Sequence, residues 1–217
     1  MRAIFVTGTD TGVGKTYVCG LLLKYLKNKG IKAVTQKWIQ TGCKSIYESD
    51  LGKCDFDSNL RLPYIFKMPA SPHLAANLEK RRISKRKIIN SFKALQKKYD
   101  FVIVEGAGGV LVPVNRKECI IDITAQLNLP VLLVAQNKLG AINHTLLTIE
   151  ALRKRKIKIL GVVFNNIRDQ DKKILADNPK IVAKLGKVKI LAILPRGGSL
   201  AKHRTSFMGM LLRLVKD

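Results

Sequence analysis

The stretch GTDTGVGKT, residues 8–16, lies between an apolar run at residues 3–7 and a segment with apolar residues at helical spacing, residues 15–29. This order of strand, glycine-rich loop and helix is typical of a phosphate-binding loop of the Walker A type. Backbone N–H groups of such a loop point at phosphate oxygens, and the helix dipole adds to the attraction. We therefore predict that Lys15 bridges the β- and γ-phosphates of a nucleotide and that the Thr16 hydroxyl binds Mg²⁺.

The rest of the chain continues the alternation of strands and helices. Further apolar runs lie at residues 31–36, 101–104, 130–135, 159–164 and 188–194, and helical patterns at 84–98, 143–155 and 171–185. The runs do not alternate with polar residues, which is typical of strands buried on both faces. The pattern predicts an α/β fold with a mostly parallel sheet and helices on both faces, formed by a single domain over residues 1–217. The irregular segment 42–77 is expected to form loops over the active site.

The composition limits the class of protein. The chain of 217 residues is 47% hydrophobic and has a formal net charge of +25. Such a charge favours anionic ligands such as ATP, and because the lysines are spread along the whole chain we expect neither a nucleic-acid partner nor a membrane partner. There is no apolar run of 18 residues, the loop begins within eight residues of Met1, and the four cysteines form no CxxC pair. We therefore expect a cytoplasmic protein with reduced thiols and no signal peptide.

A carboxylate follows the third apolar run directly. Glu105 comes after residues 101–104 and before a glycine cluster that includes Gly108. Carboxylates at the C-terminal end of a buried parallel strand meet the phosphate loop at the ligand-binding edge of the sheet. Mg²⁺ prefers hard oxygen ligands, so Thr16 and Glu105 form a sensible set, and either Asp55 or Asp57 could add a further one.

Several motifs read together resemble the dethiobiotin synthetase family. They are GTDTGVGKT at 8–16, Lys37 with QTG at 40–42, EGAGG at 105–109 and KLGAINH at 138–144. The resemblance spans nearly the whole chain. It also accounts for the phosphate loop, which is one residue longer than the common GxxxxGK[ST] pattern, because the family carries the same extra residue.

The resemblance implies an ATP- and Mg²⁺-dependent P-loop ligase. Such an enzyme converts 7,8-diaminononanoate and CO₂ into dethiobiotin, the penultimate step of biotin synthesis. A substrate amine forms a carbamate, the carbamate attacks the γ-phosphate of ATP, and the second amine then closes the ring. The family pattern also implies a homodimer whose active site lies at the interface.

The resemblance assigns roles to residues of this chain. Catalysis falls to Thr11, Lys15 and Lys37, and substrate binding to Thr41, Gly108, Val110 and Asn143, the last holding the distant carboxylate from the neighbouring subunit. Nucleotide binding falls to Thr9, Gly12, Val13, Gly14, Lys15, Thr16, Tyr17, Glu105, Asn165 and Pro195, with Asn166 as an alternative to Asn165. The metal ligands are Thr16, Glu105 and an aspartate, for which Asp57 is preferred because Leu60 follows it at the family's spacing.

Two departures and three rival functions bear on this interpretation. Gly12 replaces an acidic residue of some family members, and Trp38 replaces the usual proline, so we expect Trp38 to reshape the substrate pocket. The main rival is a MinD/ParA-like ATPase switch that binds DNA or membrane; the Thr-Asp-Thr at 9–11 lacks the extra lysine of that group. A cobyrinate-type synthetase needs a glutaminase domain, for which the chain is too short. An inactive relative is disfavoured by the intact Lys15, Lys37 and Glu105.

Overall fold

The computed structural model describes residues 3–45, 48–49 and 60–196. In chain order the elements are β1 (Ala3–Gly8), α1 (Lys15–Asn28), β2 (Ala33–Lys37), β3 (Ile39–Thr41), β4 (Tyr64–Phe66), α2 (Pro72–Leu78), α3 (Lys85–Lys98), β5 (Phe101–Gly109), α4 (Ile120–Gln126), β6 (Val131–Gln136), α5 (Ala141–Lys154), β7 (Ile159–Asn165), α6 (Lys172–Gly186) and β8 (Ile190–Leu194).

Six strands form the central sheet in the order β2-β5-β1-β6-β7-β8, and every neighbouring pair is parallel. The predicted parallel sheet is therefore confirmed. The chain leaves β1 toward β2 on one side and later leaves β5 toward β6 on the other. The two directions separate at β1, which opens a crevice at the C-terminal ends of the central strands, the usual ligand-binding position of such sheets.

Helices cover both faces of this sheet, as predicted. Alternate residues of β1 show the division, since Ile4 and Val6 pack in the same core as α1 whereas Phe5 packs with residues of α3, α4 and α5. Helix α6 packs with α5 on the far strands of that second face through Val182. Because all six residues of β1 are buried, its run carries no polar alternation.

Some element boundaries differ from the prediction. Strand β5 continues to Gly109, well beyond residue 104, because Gly109 pairs with Gly8 of β1 after an irregularity in the register. Helix α5 begins at Ala141, before Asn143. The short elements β3, β4, α2 and α4 were not predicted. Strand β3, which ends just before the segment 42–77 that the sequence left irregular, forms a separate parallel pair with β4, which lies within that segment.

Candidate active site

The phosphate loop is shaped by close contacts that glycine permits. A Cβ atom on Gly8 would lie 2.6 Å from Val13 and 2.8 Å from the carbonyl oxygen of Asp10, and Gly14 has a φ of +95°. The loop closes on the first residue of α1, where Lys15 Nζ donates to the carbonyl oxygen of Asp10 at 2.8 Å. The predicted strand–loop–helix context of the Walker A motif is therefore present.

A buried carboxylate joins the phosphate loop to β2. Glu105 Oε1 accepts a hydrogen bond from Thr16 Oγ1 at 2.8 Å and lies 3.0 Å from Lys37 Nζ. Glu105 is 2% exposed and Lys37 is 6% exposed. The sequence predicted Thr16 and Glu105 as one metal-binding set and Lys37 apart from them, and the structure shows that one carboxylate oxygen of Glu105 contacts both Thr16 and Lys37. A buried ion pair of this kind is costly to break from one side.

Burial and neighbouring charges act on the second cation of the site, Lys15. Burial is the largest cause and lowers the pKa of the Lys15 ammonium below its usual value of 10.5, Glu105 opposes that lowering, and Lys37 adds to it. An anionic phosphate at the loop would oppose the lowering as Glu105 does. Phosphate binding would therefore relieve part of the cost of burying this charge.

The backbone of Lys37 is fixed by the segment that follows the undescribed residues. The N–H of Lys37 donates to the carbonyl oxygen of Arg61 at 2.8 Å. The Arg61 side chain in turn donates to both oxygens of Thr35, with Nε 2.8 Å from the carbonyl oxygen and Nη2 2.7 Å from Oγ1. Arg61 thus ties the chain to the end of β2, at the base of the Lys37 side chain.

Asn165, the last residue of β7, contacts the phosphate loop. Its Nδ2 donates to the carbonyl oxygen of Val13 at 3.1 Å, and it is 7% exposed. A Cβ atom on Gly14 would lie 2.1 Å from the same Nδ2. The glycine at position 14 is therefore required both by its positive φ and by the close approach of Asn165.

The predicted site residues surround a cavity of about 690 Å³. The phosphate loop, β2, β3 and β5 supply Thr11, Gly12, Gly14, Lys15, Thr16, Lys37, Thr41, Glu105 and Gly108 to its wall. Its opposite wall is Pro69–Pro72, from the segment that was predicted to form loops over the site. The sequence did not single out this wall, although a proline at the first position of a helix is a recognisable start signal.

A second cavity of about 450 Å³ lies on the other side of the phosphate loop. Thr9, Val110 and His144 line it, together with the half-exposed side chains of Leu111 and Leu147. Val110 is 4% exposed and packs in the core. It forms part of the wall of this second cavity and not of the first.

The remaining predicted residues lie away from both cavities. Asn143 is exposed in the first turn of α5, and Tyr17 is 45% exposed on α1. Pro195 follows β8 directly and is partly exposed. Asp55 and Asp57 lie outside the described residues. Of the predicted metal ligands, the structure therefore brings together the Thr16 hydroxyl and the Glu105 carboxylate.

Trp38 does not line the cavity, contrary to expectation. It is 1% exposed, its ring lies 4.9 Å from that of Phe5, and its Nε1 donates to Gln36 Oε1 at 3.1 Å. Successive side chains of an extended chain point to opposite sides, so Lys37 reaches the cavity while Trp38 enters the core. The substitution of proline by tryptophan is therefore accommodated by the core.

The fold and the site define a P-loop α/β protein that carries two buried lysines and one carboxylate beside its phosphate loop. A family model described as an AAA domain matches residues 2–204. The ATP-dependent dethiobiotin synthetase BioD of Anaeromyxobacter sp. (strain K) is 39% identical over 97% of this chain and 97% of its own. That of Methanococcus vannielii is 41% identical over 88% of this chain and 92% of its own. The chain belongs to the dethiobiotin synthetase family.

Solved structures of another group share the fold. The cell division ATPase MinD of Pyrococcus furiosus superposes with a TM-score of 0.59 at 20% identity, over 99% of this chain and 97% of its own. A ParA family ATPase from Chlorobium tepidum gives 0.56 at 13% identity, over 100% of this chain and 93% of its own. Likeness at this identity concerns the fold alone, so it does not favour the rival ATPase switch. Among the described residues no helix is long and apolar enough to cross a membrane.

Proposed function

We propose that this chain is an ATP-dependent ligase that closes the ureido ring of dethiobiotin from 7,8-diaminononanoate and CO₂, in the biosynthesis of biotin. The observation that carries this proposal is that Lys15 and Lys37 line one cavity. Thr11 of the phosphate loop and Thr41 of β3 line the same cavity. A reaction that joins two anions needs cations placed between them. The name of the relatives supplies ATP and the product dethiobiotin, and the cavity supplies the two cations that such a reaction needs.

The reaction proceeds in three balanced steps. One amine of the substrate adds to CO₂ and loses a proton, which gives a carbamate. A carbamate oxygen attacks the γ-phosphorus of ATP, ADP leaves, and a carbamic–phosphoric anhydride forms. The second amine attacks the anhydride carbonyl carbon, phosphate leaves, and the ring closes. The protein holds the two anions together, because the reacting groups themselves repel.

The residues divide this work by their position around the cavity. Lys15 holds the γ-phosphate from the loop side, and Lys37 approaches it from β2. Thr11 and Thr41 line the cavity and offer hydroxyls to the carbamate. Gly108 has a φ of +64° and lies beside Thr11, so its backbone approaches the substrate without a side chain between them. Val110 closes the neighbouring apolar cavity.

The donor set next to Lys37 suits Mg²⁺. Thr16 Oγ1 and Glu105 Oε1 lie 2.8 Å apart and are hard oxygen donors, and Mg²⁺ in nucleotide sites takes one or two such ligands with phosphate oxygens and water. Asp57 is the third ligand in this proposal. When bound, the ion neutralises charge on the β- and γ-phosphates. Glu105 would hold the ion together with Thr16, and the Lys37 ammonium lies 3.0 Å from the same carboxylate oxygen, at the wall of the cavity that would hold the reacting oxygens.

The nucleotide lies along the phosphate loop toward β7 and β8. Thr9, Gly12, Val13 and Gly14 contribute backbone groups to the phosphates, and Tyr17 lies on the exposed side of α1. Asn165 contacts the loop through Nδ2, which leaves its Oδ1 for the amino group of adenine, and Pro195 borders the base.

Asn143 completes the substrate site of a second copy of the chain. It lies exposed at the start of α5, where backbone N–H groups and the helix dipole favour a carboxylate. Because it does not line the cavity of its own chain, its role requires a homodimer with the site at the interface.

The test is phosphate release from MgATP and bicarbonate, with and without 7,8-diaminononanoate, together with detection of dethiobiotin by mass. We expect release that depends on the diamine and a ring-closed product. Lys37→Ala should abolish both, because the carbamate loses its cation. Lys24→Ala, which removes an exposed lysine of α1, should leave them unchanged.

A different pattern of phosphate release would reject the ligase. Phosphate release that ignores the diamine and rises with DNA or lipid vesicles would replace the ligase with the ATPase switch. Light scattering or sedimentation of the same protein tests the dimer, and a monomer with full ligase activity would remove the role given to Asn143.

A further inference from the structure

Helix α6 contains a proline, and a side chain just after the end of β6 supplies the hydrogen bond that this proline cannot make. Pro179 lies inside α6 and has no N–H, so the carbonyl oxygen of Leu175, four residues earlier, lacks its helical donor. Asn137 Nδ2 donates to that same oxygen at 3.0 Å. The amide of Asn137 therefore replaces the hydrogen bond that Pro179 removes, and it fixes the height of α6 against the end of β6.

Asn178, the residue before the proline, also contacts Asn137. Asn178 Nδ2 donates to Asn137 Oδ1 at 2.8 Å and to the carbonyl oxygen of Lys138 at 2.9 Å. Asn137 is 0% exposed and Asn178 is 4% exposed. Amides buried to this degree contribute fixed geometry, because each lost hydrogen bond leaves a polar atom without water.

The carbonyl oxygen of Lys138 belongs to the turn that starts α5. It also accepts the N–H of Ala141 at 3.1 Å, and Gly140 caps the helix with a φ of +85°. Asn178 thus fixes the turn from 138 to 140. Because this turn starts α5, it also sets the direction in which the Asn143 side chain points from the helix. A rotation of this turn would move Asn143 without touching the phosphate loop.

We propose that Asn178, acting through Asn137 and the carbonyl of Lys138, is a positioning residue for the substrate carboxylate. This inference rests on the proposed function, in which Asn143 and the start of α5 hold that carboxylate. The contact of Asn165 with Val13 is made by a different side chain, and Asn165 meets this group only through its carbonyl oxygen, which accepts the backbone N–H of Asn137 at 2.9 Å. That bond needs no side chain, so we expect the loss of the Asn178 amide to leave the nucleotide side of the site in place.

The test replaces Asn178 by Leu, which removes both donated hydrogen bonds. In the full-length protein we expect the KM for 7,8-diaminononanoate to rise about tenfold, since two buried hydrogen bonds are lost. The kcat and the KM for ATP should change less than about twofold, because the lysine and phosphate contacts remain. Asn178→Gln keeps an amide donor and should recover part of the loss. Asp177→Asn, on the exposed side of the same helix turn, is the control.

A second readout needs no substrate. Hydrogen exchange of the amides at 139–142 should become about tenfold faster in the Asn178 variants and stay unchanged in Asp177→Asn. Faster exchange in a protein that makes no dethiobiotin would keep the structural link between Asn178 and the turn at 138–140, but it would reject the proposed ligase and with it the role toward the substrate carboxylate. Unchanged exchange would overturn the inference. So would a fall in kcat accompanied by equal rises in the KM for the diamine and the KM for ATP.

Discussion

Two groups of buried polar side chains lie at the C-terminal edge of the sheet, and they are built from different chemistry. Lys37, Glu105 and Thr16 form a charged group in which side chains contact one another. Asn137 and Asn178 form a neutral group that also holds two backbone carbonyl oxygens. A ligand that brings a cation and an anion can replace the partners of the first group, whereas the second group bonds to backbone carbonyl oxygens of the protein and does not line the cavity that would hold a nucleotide.

The two groups differ in whether their side chains can exchange partners with a ligand. The charged group is stable without ligand because each charge has a partner, and it can rearrange because MgATP supplies equivalent partners. We expect the amide group to keep one arrangement with and without nucleotide, because its partners all belong to the protein. The predictions below test this contrast, from the largest effect to the smallest.

Lys15→Met should reduce turnover about 1,000-fold, because the γ-phosphate loses a cation placed in the loop. The same change should leave the melting temperature of the nucleotide-free protein unchanged or higher, since burial lowers the pKa of Lys15 and disfavours its charge. Stabilisation by MgATP should be lost. Thermal melts with and without MgATP measure this, and Lys24→Met is the control. A marked fall in the nucleotide-free melting temperature would show that the charge is not costly there.

Glu105→Gln should destabilise the protein by about 3 kcal/mol at pH 7, because Lys37 loses a buried partner. Glu105 also opposes the lowering of the Lys15 pKa, so the variant lowers that pKa further. A lysine whose folded pKa lies below its unfolded value binds more protons when unfolded, so the stability of the variant rises between these two values.

Urea unfolding of the Glu105→Gln variant from pH 7 to pH 10 measures this recovery. Glu150→Gln, an exposed acid of α5, should show neither the loss nor the pH dependence. A loss of stability that stays constant over this pH range would exclude the electrostatic origin.

Gly14→Ala should raise the KM for ATP about tenfold, because the new methyl group meets Asn165 Nδ2 and displaces it from Val13. Gly12→Ala is the matched control, since Gly12 also has a positive φ of +73° but a Cβ atom there meets nothing within 4 Å. Nucleotide titration of both variants separates backbone strain from the clash. Equal affinities in the two would remove the role given to Asn165.

Pro179→Ala restores an N–H that can bond to the carbonyl oxygen of Leu175, which makes the donation from Asn137 redundant. In a double-mutant cycle with Asn137→Leu we expect a coupling of about 1 kcal/mol, with the asparagine worth less in the alanine background. Urea denaturation of the four proteins gives the coupling. Additive effects would show that the proline and the asparagine are independent.

The sequence predicted the charged group better than the amide group. Lys15, Thr16, Lys37 and Glu105 stand out because cations, hydroxyls and carboxylates next to glycines and buried strands indicate phosphate and metal chemistry. Asn137 and Asn178 are separated by 41 residues, and their contact depends on how far α6 lies along β6. A proline within a helical pattern was the available signal, and it did not identify a partner.

The sequence by itself determined the parallel sheet, its order of strands and helices along the chain, and the phosphate loop, because apolar runs and glycine spacing act locally. The tertiary structure decided that Glu105 serves both Thr16 and Lys37, that Trp38 enters the core, and that Pro69–Pro72 closes the cavity. These facts depend on which residues from distant segments meet. Such meetings follow from the packing of whole elements, which no local pattern specifies.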